Sequence, residues 1–338
     1  MFVLGIETSC DETSAAVITG RFQVLSNTVH RQEGHARFGG VVPEIASREH
    51  IMKIEEVTGQ AIDEARIQPA DISLVAATSA PGLIGALLVG LSFAKGFAAA
   101  RDLPFVGVNH MDAHIKANYL SHPDLSPPYV ALVVSGGHTF LALCDEFGVY
   151  SLLGNTLDDA AGEALDKAGK VMGIPYPAGR AIEQCARAGD PAFHAFPRAL
   201  PAKDNLNFSF SGLKTALKNY LRTLPAEEIE SRKNDILASY QEAVVDALAQ
   251  KCAAALRATG CRRLLIAGGV SCNGRLRDKL SLLLGHENEL YFPAPEFCTD
   301  NGAMVAVAGL FKYTTRGADP LSLAASAVFN IAEVNYGL

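Results

Sequence analysis

Apolar runs and polar turns alternate from the first residues onward. Residues 2–6 and 15–18 are apolar and flank the small polar stretch 7–14, a pattern that predicts a β-hairpin. A helical spacing follows, in which Ile51, Ile54, Val57, Ala61, Ile62 and Ala65 predict an amphipathic helix over 45–67 with one buried face. His35, Arg48 and His50 flank it, read as solvated surface, and are assigned no role. The stretch 72–94 carries no charge and is long enough to cross a bilayer, but Pro81-Gly82 interrupts it and Gly85 and Gly90 follow. Strand, turn and buried helix fit it better. Residues 103–109 predict another buried strand, followed by a helix from His110, and Pro127-Pro128 then breaks the pattern. Strands are expected over 129–134 and from Phe140, and a loop over 173–179. Ile236, Tyr240, Val244, Leu248 and Cys252 recur every fourth residue, which predicts a long core helix over 227–256. The final elements are a strand over 262–267, a helix over 274–284 and an Ala-rich helix after Asp300.

Strands alternating with helices make an α/β chain, and 338 residues with 49% apolar and 19% charged positions supply ample core for one large or two ordinary domains. The formal charge of −7 makes broad electrostatic capture of nucleic acid unexpected, so such a contact is local or shared with a partner. The most basic segment is 193–222, with Arg198, Lys203, Lys214, Lys218 and Arg222 and few acids besides Asp204; it reads either as a nucleic-acid contact or as a solvated face. Seven cysteines without a C-x-x-C pair, and an N-terminus without a basic leader, predict reduced thiols and a cytoplasmic location.

The candidate chemistry centres on His110 and His114. One helical turn apart, they share a face and can deliver two imidazole nitrogens to one divalent metal, or else stand as helix-surface histidines. The zinc-protease signature H-E-x-x-H is absent, because Met111 follows the first histidine and the carboxylate is Asp112. Asp300 is a candidate third ligand through oxygen. The turn 7–14 is rich in hydroxyls and short carboxylates, which cap backbone amides or bind a phosphate-associated metal. Ser135-Gly136-Gly137-His138-Thr139 joins two strands with adjacent glycines, suited to a phosphate or to hairpin geometry alone. Asp158, Asp159, Glu163 and Asp166 predict an acidic helix start, which complements the helix dipole. Gly268-Gly269-Val270-Ser271-Cys272-Asn273 is a strand-to-helix turn of the kind that approaches a nucleotide, without the P-loop or G-x-G-x-x-G spacing.

Seven stretches taken in order resemble one family. Residues 5–13, the paired histidines, 135–139, 158–164, 208–214, 268–271 and 299–304 are similar to the TsaD family of tRNA N6-adenosine threonylcarbamoyltransferases, across residues 2 to about 310. The resemblance implies a two-lobed α/β fold like actin, Hsp70 and sugar kinases, with a ribonuclease-H-like core in each lobe and the ligand in the interlobe cleft. It implies an N-terminal lobe over 1–125 completed by the C-terminal helix from about 301–338, and a second lobe over 126–300 with a helical insertion at about 155–235. His110, His114 and Asp300 become ligands of one divalent ion, Fe2+ or Zn2+, with the pair beside a cleft and outside the core. Asp11 becomes the catalytic residue, and Val133, Val134, Ser135, Gly136, Gly137, Asp166, Gly179 and Asn273 become contacts to threonylcarbamoyl-AMP, in whose place ATP or AMP also fits. The implied partners are tRNA, an inactive paralogue of TsaB type, a small ATPase of TsaE type and an upstream threonylcarbamoyl-AMP synthase, with no membrane. The implied reaction carries the threonylcarbamoyl group to N6 of adenosine 37. The chain departs from the family between its histidines, where Asp112-Ala113 replaces Glu-Gly.

Three other readings compete. An ATPase or small-molecule kinase of the same fold has no need of the histidine pair. A non-catalytic scaffold lacks the metal motif that this chain has. A metalloprotease has the weakest case, since its glutamate is missing.

Overall fold

The computed structural model describes residues 1–202, 204–328 and 331–334, and the chain folds as two units. The first comprises 1–127, 144–151 and 292–338; the second comprises 128–143 and 152–291.

In the first unit, β1 (Phe2–Glu7), β2 (Glu12–Thr19) and β3 (Val24–Arg31) form an antiparallel meander, followed by α1 (Pro43–Glu64). β4 (Ile72–Ala80), α2 (Ile84–Ala99) and β5 (Phe105–Asn109) then add two parallel strands, and α3 (His110–Ser121) follows without a loop. The sheet order is β3-β2-β1-β4-β5. Leu4, Ile6, Val17, Val75 and Leu91 are completely or almost completely buried, with Ile54, Val57 and Ile62 of α1 packed on the same side. α1 runs over 43–64 rather than 45–67: Pro43, with its preset φ and missing N–H, suits the first turn, and Arg66 adopts a φ of 56° beyond the end.

The second unit holds β6 (Tyr129–Val134), β7 (Thr139–Glu146), β8 (Val149–Asn155), α4 (Ala161–Val171), α5 (Gly179–Ala186), α6 (Ser211–Leu221), α7 (Ala226–Ser231) and α8 (Lys233–Thr259). β9 (Arg263–Ala267), α9 (Gly274–Leu284) and β10 (Glu289–Tyr291) complete it. Its order, β10-β9-β6-β7-β8, repeats the first: the earliest strand is central, the next two lie to one side and the last two to the other. The tip of the β7–β8 hairpin belongs to the first unit.

The long core helix starts at Lys233, because Arg232 ends α7 and separates the acidic turn 226–231 from it. Asp158 and Asp159 precede α4 instead of opening it. Asp158 instead accepts hydrogen bonds from the Ser209 and Ser211 hydroxyls and the Phe210 and Ser211 amides, and so caps α6. These four bonds outweigh its partial burial and hold its carboxyl below the usual range. In the basic segment, Arg198 is bound to Asp246 at 2.6 Å, Lys214 is half-buried, and Lys218 and Arg222 are exposed; Lys203 lies outside the described residues.

The last helix, α10 (Gly302–Arg316), returns to the first unit and packs on β1, β2, β4, β5 and α3. A methyl group on Gly5 would lie 2.2 Å from the Gly302 carbonyl oxygen, so only glycine lets helix and strand approach this closely. The helix stops at Arg316, where Gly317 adopts a φ of 78°, short of the 338 expected from the sequence. No helix of the described residues is long and apolar enough to cross a membrane.

Candidate metal centre and nucleotide-binding turns

β5 delivers α3 by its side chains as well as its backbone: Asn109 caps the helix, its Oδ1 accepting from the amides of Met111 and Asp112. Every residue from His110 to Tyr119 is buried, so the histidines do not stand outside the core as the sequence implied. The burial has a clear source: α10 covers one side of α3, and the hairpin tip supplies Phe147 and Tyr150. Lys116, fully buried and without a hydrogen bond from its ammonium among the described residues, faces the rings of Phe311, Tyr119, Phe147 and Tyr150 at 4.8 to 5.9 Å.

His110, His114 and Asp300 come together, with one ligand atom from each lying within 4.8 Å of the others. Asp300 Oδ1 is 3.1 Å from His114 Nε2 and 3.6 Å from His110 Nε2. Asp300 is placed by the start of α10, whose first amide donates to the Ser14 hydroxyl at 2.8 Å and whose cap is Asn301. His110 is also oriented from behind. Glu7 Oε2 lies 3.1 Å and the Ser9 hydroxyl 3.2 Å from its Nδ1, leaving Nε2 for the ligand side. Glu7 is itself held by the Thr78 hydroxyl at 2.6 Å and the Ser9 amide at 2.5 Å. Burial disfavours charge on His110, but the carboxylates of Asp300 and Glu7 outweigh it and push the imidazole up to about 9.

A divalent metal fits this donor set. His114 is 1% exposed, and neither ring nitrogen makes a hydrogen bond among the described residues; the approach of Asp300 is close without the alignment a hydrogen bond needs. A buried imidazole left this way is costly unless something else binds it. Two nitrogens and one oxygen suit Fe2+ or Zn2+ and leave positions open. Asp112 is absent from this set, because it turns to the hydroxyl of Tyr150.

The other sequence-derived site residues fall in two places. Asp11 lies in the turn between β1 and β2 of the first unit, its carbonyl accepting from the Gln32 amide at 3.2 Å. The remaining eight lie in the second unit. Val133 and Val134 end β6, and Ser135-Gly136-Gly137 makes a turn closed by the Ser135 amide donating to the His138 carbonyl. The Gly162 amide of α4 donates to the Ser135 carbonyl, which ties that helix to the turn. Gly268 adopts a φ of 87°, and a methyl group there would meet the Val134 carbonyl oxygen at 2.5 Å, so the turns after β6 and β9 adjoin. Asn273 caps α9 through Leu276 and donates to Gln241. Asp166 accepts from the Ala178 amide at 2.7 Å, just before Gly179 begins α5. Burial raises the Asp166 carboxyl, despite this bond. A methyl group on Gly136 or Gly137 would meet nothing within 4 Å, so this turn is open beyond its glycines.

Sequence reasoning missed Glu7, Thr78 and Tyr150. A glutamate ending an otherwise apolar strand was the available signal for Glu7; nothing local marked the other two. His35 and His50, read as surface, are buried at 1% and 0% exposure, where His35 meets Gln32 and His50 meets Thr13.

Two five-stranded sheets of the same order, with a His-His-Asp set in the first unit, define an actin-like α/β protein with a metal-ligand cluster. Solved structures of this class align over most of the chain: HypF from T. kodakarensis at a TM-score of 0.63 and 13% identity, covering 93% of this chain and 48% of that one, and (R)-2-hydroxyglutaryl-CoA dehydratase component A from Acidaminococcus fermentans at 0.55 and 14%, covering 93% and 99%. These likenesses show the fold. The chain belongs to the tRNA N6-adenosine threonylcarbamoyltransferase (TsaD) family, whose model matches residues 23–307. A tRNA N6-adenosine threonylcarbamoyltransferase of Pelobacter propionicus is 50% identical over 100% of this chain and 99% of its own length, and one of Caldicellulosiruptor saccharolyticus is 49% identical over 92% and 93%.

Proposed function

We propose that this protein transfers the L-threonylcarbamoyl group from threonylcarbamoyl-AMP to N6 of adenosine 37 in tRNAs that read codons beginning with A, releasing AMP. The observation that carries this reading is the identity of half of all positions, over the full length, with a transferase of that name.

The adenine N6 amine is a weak nucleophile because its lone pair is delocalised into the ring, so the carbamoyl carbon must be activated. The mixed anhydride with AMP provides that activation: the N6–C bond forms, the C–O bond to phosphate breaks, and N6 loses a proton. The Gly136-Gly137 turn, open beyond each glycine, suits the AMP part, while Gly268, Asn273, Asp166 and Gly179 belong to the turns and helix starts around it. His110, His114 and Asp300 would hold Fe2+ or Zn2+, an ion that would supply Lewis acidity when bound. Asp11 orients the amine or accepts its proton. Partners of TsaB and TsaE type, with an upstream synthase, accord with the acidic charge of −7, which leaves part of the tRNA to be held by other subunits.

The test is mass spectrometry of nucleosides from tRNA of cells depleted of the protein and complemented with wild type, His110→Ala or Asp11→Asn. Threonylcarbamoyladenosine should vanish on depletion and return with wild type alone. An unchanged level on depletion would overturn the reading.

A further inference from the structure

His50 has no part in the chemistry described so far, yet it is fully buried and its ring bridges the turn that carries Asp11. Nε2 lies 3.0 Å from the Cys10 carbonyl oxygen and Nδ1 lies 2.8 Å from the Thr13 hydroxyl. A carbonyl only accepts, so Nε2 bears the hydrogen, and in the neutral ring Nδ1 accepts from Thr13. The two anchor points enclose Asp11 and Glu12. Backbone bonds hold the rest of the turn: the Leu83 amide donates to the Ser9 carbonyl, the Gln32 amide donates to the Asp11 carbonyl, and Glu12 and Thr13 pair with Arg31 and His30 of β3, so that the His50 ring is the side-chain tie that spans Asp11.

We propose that His50 is the positioning residue of the reaction: from α1 it fixes the backbone of Cys10 to Thr13 and thereby the direction of the Asp11 carboxylate. This rests on the role given to Asp11 above. The ring must be neutral to bridge in this way, and burial supplies that, lowering its affinity for a proton against the opposing pull of Glu7 on β1, Asp11 on the turn and Glu49 on α1. Glu49 is partly occupied by His30 of β3, at 2.9 Å. A change of about an ångström in a group that acts on the reacting atom costs on the order of a hundredfold in rate. The position of the turn is therefore worth as much as the identity of its carboxylate.

A double-mutant cycle tests this, with single-turnover transfer from threonylcarbamoyl-AMP to tRNA as the readout. His50→Ala should lower the transfer rate tenfold to a hundredfold with KM for tRNA within about twofold, and should add nothing further in an Asp11→Asn background. Equal losses in both backgrounds, or a wild-type rate, would overturn the proposal. His50→Gln, which keeps an N–H donor for Cys10, should recover part of the rate, and Thr13→Val should lose part; both probe the bridge if the alanine variant does not fold. Amide hydrogen exchange over residues 9–14 separates this idea from the assigned reaction. If wild type transfers nothing, the reaction is wrong, while faster exchange in His50→Ala still supports the bridge and unchanged exchange refutes it.

Discussion

Tyr150 donates its hydroxyl to the carboxylate of Asp112 at 2.5 Å, in the interior of the first unit. Asp112 lies between the two histidines of the candidate ligand set. Its carboxylate therefore serves the packing of the hairpin tip on α3. Tyr150→Phe leaves a buried carboxylate without this donor and should cost about 1–3 kcal/mol in a urea titration. Metal content should remain at the wild-type level, and its loss would show that Asp112 belongs to the metal centre.

Both ring nitrogens of His114 lack a hydrogen bond among the described residues, a standing cost that a bound metal would remove. Addition of Zn2+ or, without oxygen, Fe2+ should raise the melting temperature of wild type. His114→Ala should abolish both that rise and stoichiometric metal by elemental analysis. A retained rise would remove His114 from the ligand set.

Gly268 brings the turns after β6 and β9 together with a backbone that L side chains rarely adopt. Gly268→Ala should weaken AMP binding by tenfold or more in calorimetry, because the added methyl drives the Val134 carbonyl outward. Wild-type affinity would show that AMP binds elsewhere.

Glu242 receives Arg275 at 2.7 Å and Lys279 at 2.7 Å. Burial opposes its charge, but these two cations win and draw the carboxyl down to about 2. A depressed carboxyl stabilises the fold above its unfolded value near 4.3, and this contribution disappears as the pH falls towards 2. Discounted for the partial exposure of the two cations, it amounts to about 2 kcal/mol. Glu242→Gln should accordingly lose stability at pH 7 and approach wild type near pH 2.5, as followed by denaturant midpoints. A constant difference across that range would contradict the assignment.

Local patterns revealed the alternation of strands and helices, down to α9 at 274–284, because a buried strand or a one-sided helix writes its period into its own residues. The histidine pair was legible for the same reason, since both ligands come from one helical turn. Asp300 was legible only as a candidate carboxylate ahead of the last helix, because its approach to the histidines depends on how α10 lies across β1. Burial was the poorest part. His50 and Lys116 are polar, and what encloses them comes from elements distant in sequence: the Cys10–Thr13 turn for the first, and rings from the hairpin tip and α10 for the second. Single residues carry no trace of such neighbours.

The bond between Ser14 and Gly302 spans 288 residues, and α10 contributes to the interior of the very unit that leaves the ribosome first. During synthesis the five strands of this sheet, all within residues 2–109, therefore wait for the helix that covers them while the whole second unit is made. The His-His-Asp set is consequently assembled only at the end of biogenesis. A chain truncated shortly before residue 300 would possess both histidines and every turn for the nucleotide, and still have no means of finishing the centre.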